Sequence, residues 1–314
     1  MEAQRFPADF DGIVAGAPAY DFTGLLTLAA YDVQALAKPG AYLGADQRKA
    51  LEAGALAGCG GGRFVAQPAL CRFDPASLAC PMGEDHPTCL TAPQVAAARA
   101  LYDGLRSANG RILYPGYTPG AEAEPGSWAL WITGQSQADS GKALIALFGG
   151  HFFADFVFQD PSYDVLKLDV ADAHKLVSKL AAILDSTSPD LRAFRNQGGK
   201  LIQYHGWNDP AIPARGSIAY YEDVRRTLGY TGDFHRLYMV PGMLHCGGGA
   251  SPSNVEWLSL LEAWRERGQA PGLVTATSGP AAGGAAQALC PYPGQAASDA
   301  NRGPRCVAAK LPKA

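Results

Sequence analysis

KLIQYHGWNDP, residues 200–210, decides how this chain is read. Leu201, Ile202 and Tyr204 make a strand-length apolar run, which stops at Gly206 in a tight turn carrying Asp209 and closing on Pro210. HRLYMVPGMLHCGGG, residues 235–249, repeats the device. There the strand 236–240 enters a Pro-Gly turn and delivers His245, framed by Pro241-Gly242 and Gly247-Gly248-Gly249. Between them the spacing predicts a helix over 214–228, with Ile218, Tyr221, Val224, Arg225 and Leu228 along one side. Strand, turn, helix, strand, turn implies parallel strands. Their carboxyl ends then bring both polar residues to one rim, where the sites of open α/β sheets are built.

An acid and then a histidine, each just past a strand, form the second half of the nucleophile–acid–histidine order of an α/β-hydrolase. The chemistry needs a carboxylate to hold an imidazole in the right tautomer and an imidazole to take a proton from a nucleophile. Taken singly, Asp209 fits a helix N-cap and His245 a structural loop histidine. Together, in this order and on matching strand ends, they favour catalysis. The order also demands an upstream nucleophile on a G-x-S-x-G-like elbow, and residues 1–208 contain none. Ser136 in GQSQA misses the pattern at Ala138, with no strand before it. The chain is therefore expected to lack the first part of a hydrolase, its nucleophile lying before Met1. His205, at the end of its strand, is expected to support the Asp209 turn rather than transfer protons. His86, His151, His174 and His235 have no partner visible in the sequence.

Further out, Ile13-Val14-Ala15 reads as a short strand, preceded by MEAQRFP as the tail of a helix without a capping residue. Residues 22–45 read as helix. From 46 to 188 helical stretches at 47–56, 92–105 and 170–184 alternate with Gly-, Pro- and Cys-rich loops, without strand–helix alternation. This is expected to be a large insertion, mostly helix and loop. Its aromatics, Trp128, Trp131, Phe148, Phe152, Phe153, Phe156 and Phe158, suit either its own core or stacking on an aromatic ligand. From 189 the α/β pattern resumes with helices at 190–197 and 254–267, the latter bearing Trp257, Leu258, Leu261 and Trp264 on one face before Gly268. The expected division is a hydrolase core at 1–25, a lid insertion at 26–188, and the core again at 189–314 with the acid and the histidine.

Composition bounds the function. The 314 residues are 47% apolar and 18% charged with a formal net charge of −3, a globular composition. That charge provides no basic field for nucleic acid or an anionic membrane, and no apolar run is long enough to span a bilayer. Met1–Arg5 is not a signal peptide. Six of the seven cysteines fall into local pairs, 59/71, 80/89 and 290/306, leaving Cys246 beside His245. Local pairs point to disulfides and to a secreted or periplasmic protein. A zinc site at Cys80, His86 and Cys89 competes, but its spacing is poor for that metal. Gly60-Gly61-Gly62-Arg63 lacks the Lys-Ser/Thr of a phosphate loop and reads as a turn.

MEAQRFPADFDGIVAGAPA, FDPASLAC, CLTAPQVAA, VFQDP, GGKLIQYHGWNDPAIP, YYEDV, RLYMVPGMLHCGGG, LEAWRERGQAP and LCPYP together resemble the tannase/feruloyl esterase family, over essentially the whole chain. The resemblance implies an α/β-hydrolase with a large lid inserted after the nucleophile region. It implies a triad serine in a Gly-x-Cys-Ser-x-Gly-Gly segment ahead of the stretch similar to MEAQRFP. The cysteine of that segment would bond the one beside the triad histidine. Asp209 then matches the acid, His245 the histidine and Cys246 the cysteine whose partner is missing. The family's acidic calcium loop corresponds to CGGGRFVAQPALC, residues 59–71, which has no Asp or Glu. Calcium takes six or more oxygen ligands, mostly carboxylates, so no calcium and no other cofactor is expected. The expected function is serine-type hydrolysis of bulky, aromatic carboxylic esters (feruloyl, galloyl or terephthaloyl), with this chain inactive by itself. The expected partner is a small-molecule ester, with neither nucleic acid nor membrane, and nothing specifies an oligomeric state. Two rivals stand beside this reading: a non-catalytic protein that binds ligands through the lid, and a Cys/His metal-binding module.

Overall fold

A computed structural model of the chain describes residues 1–81, 84, 86–278, 284–297 and 303–308. One helical turn, α1 (Glu2–Arg5), without a side-chain cap, leads into strand β1 (Gly12–Gly16). Helix α2 (Phe22–Leu36) begins where the Asp21 carboxylate accepts the Gly24 N–H at 3.0 Å. It stops nine residues short of the predicted 45, because Pro39 disfavours helix in the residue before it and cannot itself donate to an extended one. A new helix, α3, covers Ala45–Gly58. Thr91 and Gln94 form a capping box at the start of α4 (Ala92–Asp103).

A short antiparallel pair, β2 (Leu105–Arg106) and β3 (Ile112–Tyr114), follows within a stretch expected to be mostly helix and loop. Then come α5 (Trp128–Trp131) and α6 (Leu144–His151), which runs on as a π-helical segment over Phe152–Phe158. The single helix expected over 170–184 is two, α7 (Ala173–Leu176) and α8 (Ser178–Leu184), joined at Val177. Beyond α9 (Arg192–Asn196) come β4 (Lys200–Gly206), α10 (Arg215–Leu228), β5 (His235–Val240) and α11 (Trp257–Arg267). Two antiparallel pairs not signalled by the Ala/Gly-rich tail complete the chain. They are β6 (Val274–Thr277) with β7 (Ala286–Leu289), and β8 (Gly294–Ala297) with β9 (Arg305–Ala308).

The strands that position the site form one parallel sheet in the order β1-β4-β5, with Ile202 opposite both Val14 and Arg236. Alternation along β4 serves both faces. Leu201 packs with Phe194, Tyr220, Val224 and Phe234 on the α9–α10 side, while Ile202 packs with Tyr238, Trp257, Leu261 and Trp264 on the α11 side. A strand buried on both faces tends to be apolar at odd and even positions alike, as Leu201, Ile202 and Tyr204 are, while Gln203 is buried as a polar residue. Among the described strands β1 has no neighbour on its outer side.

Residues between β1 and β4 build apolar clusters of their own. Leu51, Leu90, Leu101, Tyr117 and Trp128 form one, and Phe152, Phe153 and Leu168 pack with Leu26 and Ala30 of α2 in another. The seven aromatics expected to serve either core or ligand therefore divide, with Trp131 half-buried between the two groups. Trp128, Phe152 and Phe153 are core, whereas Phe148, Phe156 and Phe158 are exposed. Cys59–Cys71, Cys80–Cys89 and Cys290–Cys306 are disulfide-bonded, which removes the thiolates that a Cys/His metal module would need.

Candidate active site

The site lies where β4 and β5 end side by side. Trp207 N–H donates to the Val240 carbonyl at 2.9 Å and Asn208 N–H to that of Met243 at 3.1 Å, so the turn after β4 is tied to the loop after β5. Gly206 makes this approach possible. A Cβ there would stand 2.3 Å from the carbonyl oxygens of both Met243 and Leu244, well inside contact distance. The histidine loop closes on itself at Met243 and Gly249, and Cys246 takes a left-handed φ of 59°. A non-glycine residue in that region is uncommon and persists only where its surroundings hold it. Here it sits directly after His245.

These constraints bring Asp209 and His245 together. His245 Nδ1 lies 2.8 Å from Asp209 Oδ2, with the Asp209 side chain fully buried and that of His245 32% exposed. Asp209 Oδ1 accepts the N–H groups of Ala211 (2.8 Å) and Ile212 (2.9 Å), and Oδ2 also receives His205 Nε2 at 3.1 Å. Burial alone would push the Asp209 carboxyl up. Hydrogen bonds from His205 and His245 outweigh it and hold the carboxyl below its ordinary value, so the group is a carboxylate at neutral pH. In turn, the hydrogen bond to Asp209 raises His245, against a smaller opposing effect of burial.

The far side of the imidazole meets the segment between β1 and β4. Trp131 stands edge-on to the His245 ring with centroids 5.3 Å apart, and Phe148 stacks on Trp131 at 6.4 Å. With Leu26, Tyr117 and Ile212 they line an apolar cavity of about 240 Å³ that reaches His245. Asn208, which the sequence did not single out, joins the two parts. Its amide N–H donates to the Pro119 carbonyl at 3.2 Å and its oxygen accepts the Gly242 N–H at 3.2 Å. The Asn-Asp pair of the turn was the available signal. Nearby, burial raises the Glu122 carboxyl to about 7 against hydrogen bonds from Tyr102 and the Gly120 N–H.

The other candidates lie elsewhere. Ser136 donates to Asp139 at 2.7 Å on an exposed turn. His86, His151 and His174 make surface contacts to Glu84, Asp155 and the Ala171 carbonyl. His235 is fully buried, lowered to about 3 by burial, and its Nε2 lies 3.2 Å from Gln203 Oε1. The Cys246 thiol is exposed, 3.8 Å from the Gly16 carbonyl, and burial of its surroundings followed by the Asp209 charge raises it. Among the described residues, the one hydrogen bond of the His245 ring is that to Asp209. The 59–71 loop does not fit calcium, since its only oxygens are carbonyls and the Gln67 amide.

The family model for tannase and feruloyl esterase matches residues 1–309. An uncharacterized esterase of Xanthomonas campestris pv. campestris is 36% identical over 93% of this chain and 59% of its own length. A mono(2-hydroxyethyl) terephthalate hydrolase of Piscinibacter sakaiensis is 31% identical over 93% of this chain and 58% of its own. The crystal structure of feruloyl esterase B from Aspergillus oryzae superposes with a TM-score of 0.84 at 25% identity, covering 98% of this chain and 66% of that one. The chain thus spans less than two thirds of the length of each of these proteins.

Proposed function

The chain belongs to the tannase and feruloyl esterase family, and on that premise we propose that it carries the acid–base half of a serine-type carboxylic ester hydrolase acting on aromatic esters. The observation that carries this reading is the contact of a saturated, buried carboxylate with the Nδ1 of a partly exposed imidazole, 2.8 Å, at the mouth of an apolar cavity. Asp209 holds the proton on Nδ1. Nε2 is then free to take a proton from a nucleophilic hydroxyl and to return it to the leaving alcohol. The hydroxyl and the oxyanion hole are supplied from outside these 314 residues, and Cys246, poised over the end of β1, bonds the cysteine beside the nucleophile. In the same reading residues 1–25 and 189–314 are an α/β-hydrolase core and 26–188 its lid.

The cavity supports the substrate class. A dry space of ~150 Å³ admits benzene, so one of about 240 Å³ walled by Trp131 and Phe148 takes a substituted ring and leaves the ester carbonyl beside His245. Three disulfides favour an oxidising compartment, outside the cytoplasm. The test uses the product of the complete reading frame, assayed on methyl ferulate, methyl gallate and p-nitrophenyl acetate. His245→Ala is expected to lower kcat by roughly 10³-fold or more, and the 314-residue chain alone to turn over none of the three. Undiminished turnover in His245→Ala would overturn the proposal.

A further inference from the structure

Asp209 is shared by two histidines, and the second is part of a buried chain of polar groups for which the hydrolytic reading has no use. His205 Nε2 lies 3.1 Å from Asp209 Oδ2 and 2.9 Å from the Ile212 carbonyl, so that nitrogen must carry the proton. His205 Nδ1 meets Ser217 Oγ at 2.7 Å. Ser217 Oγ already accepts from Gln203 Nε2 at 2.8 Å, and Gln203 Oε1 faces His235 Nε2 at 3.2 Å. All five side chains are buried.

The protons can be placed. His235 is neutral in its apolar surroundings, and its Nδ1 has no partner among the described residues. An unpartnered buried N–H is rarer than a bare acceptor, so the His235 proton sits on Nε2 and is donated to Gln203. Gln203 therefore presents its amide N–H to Ser217. Among the described residues the Ser217 hydroxyl proton then has one acceptor, His205 Nδ1. Every donor points the same way: from His235 to Gln203, to Ser217, to His205, to Asp209. Aligned hydrogen bonds polarise one another, and the low local dielectric strengthens them.

We infer that His205 is a positioning residue for the Asp209–His245 pair: locked by Ser217, Gln203 and His235 as a neutral Nε2–H donor, it orients the carboxylate and limits the negative charge that Oδ2 offers His245. The inference rests on Asp209 and His245 acting as the acid–base pair. Its premise in the fold is local, since His205 lies at the end of β4, Asp209 follows four residues later, and Ser217 lies in the first turn of α10. Besides the two histidines, the ionisable groups that feel the Asp209 charge are the Tyr114 and Tyr117 phenols and the Cys246 thiol, and none of these hydrogen-bonds it.

The experiment follows the ring resonances of His245 by NMR across pH in the 314-residue chain, with no turnover required, so a failure of the hydrolase proposal leaves it readable. In His205→Leu, Oδ2 keeps a single donor and more of its charge falls on His245. The His245 midpoint is expected to rise by roughly half a pH unit, a threefold change in its protonation equilibrium. His205→Gln, whose amide can reach the same oxygen, is expected to restore the wild-type midpoint. Ser217→Ala keeps the imidazole but frees its tautomer, and is expected to shift the midpoint the same way by less, which keeps the test decisive if His205→Leu does not fold. A merely structural role predicts His205→Gln to be as perturbed as His205→Leu. That result, or an unchanged midpoint in both folded His205→Leu and Ser217→Ala, would overturn the inference.

Discussion

Replacing Asp209 by Asn tests the centre of the site with almost no change of volume. In the wild type the carboxylate accepts four hydrogen bonds, two from backbone N–H groups on Oδ1 and two from imidazoles on Oδ2. An asparagine can keep the first two through its oxygen, but its NH₂ then faces two N–H donors. His245 escapes by moving its proton to Nε2. His205 cannot, because the Ser217 proton occupies its Nδ1. One charge-assisted bond is lost outright and one is exchanged for a weaker neutral one, so the expected destabilisation is about 3 kcal/mol at neutral pH.

The pH dependence has a definite sign. The folded-state value of Asp209 lies below the ordinary 3.8, so its contribution is present above 3.8 and lost as pH falls through the folded value. Urea unfolding at pH 7 and near pH 3 should therefore show a wild-type advantage that shrinks in acid. In the same samples, ¹⁵N shifts should report His245 as the Nδ1–H tautomer in the wild type and Nε2–H in Asp209→Asn. A variant that kept the Nδ1–H tautomer, or lost no stability at pH 7, would refute the claim that the Asp209 carboxylate fixes the imidazole and stabilises the fold.

Other predictions follow from the same geometry. The His245 midpoint should lie above 6.5, and in the proposed esterase the acid limb of kcat/KM should be displaced upward with it, since the base must be neutral; a midpoint below 6.5 would contradict the Asp209 contact. The matching stability contribution is present below 6.5 and fades as pH rises through the folded value. Trp131→Ala should weaken ferulate binding to the chain by about tenfold, measured by calorimetry, because it removes the ring packed against His245. Phe153→Ala, at a fully buried position where the π-helical segment packs on α2, should cost about 3–5 kcal/mol in urea unfolding while leaving the His245 titration unchanged.

The site was legible in part, for local reasons. Asp209 and His245 could be found because each follows a strand of clear apolar pattern within a few residues, and turns rich in Gly, Pro and Asn announce themselves. Helix ends are less legible. Apolar spacing stays helical across the break at Pro39-Gly40, and the Ala- and Gly-rich antiparallel pairs near the end of the chain carry little strand signal. His205 could be suspected of serving the Asp209 turn, but not of sharing the carboxylate oxygen with His245. Ser217 and Gln203, a first-turn helix residue and a strand residue, carry no mark at all.

What the sequence determined alone was everything written within a few residues: two parallel strands with polar residues at their ends, cysteines close enough to close short loops, a loop without carboxylates for calcium. Tertiary structure decided which oxygen of Asp209 meets which nitrogen, that Trp131 rather than Trp128 stands against His245, and that Asn208 clasps Pro119 to Gly242. The physical reason is that strand and turn propensities act between neighbours along the chain. Contacts between residues far apart in sequence depend instead on how whole faces pack, and a one-residue pattern cannot encode that.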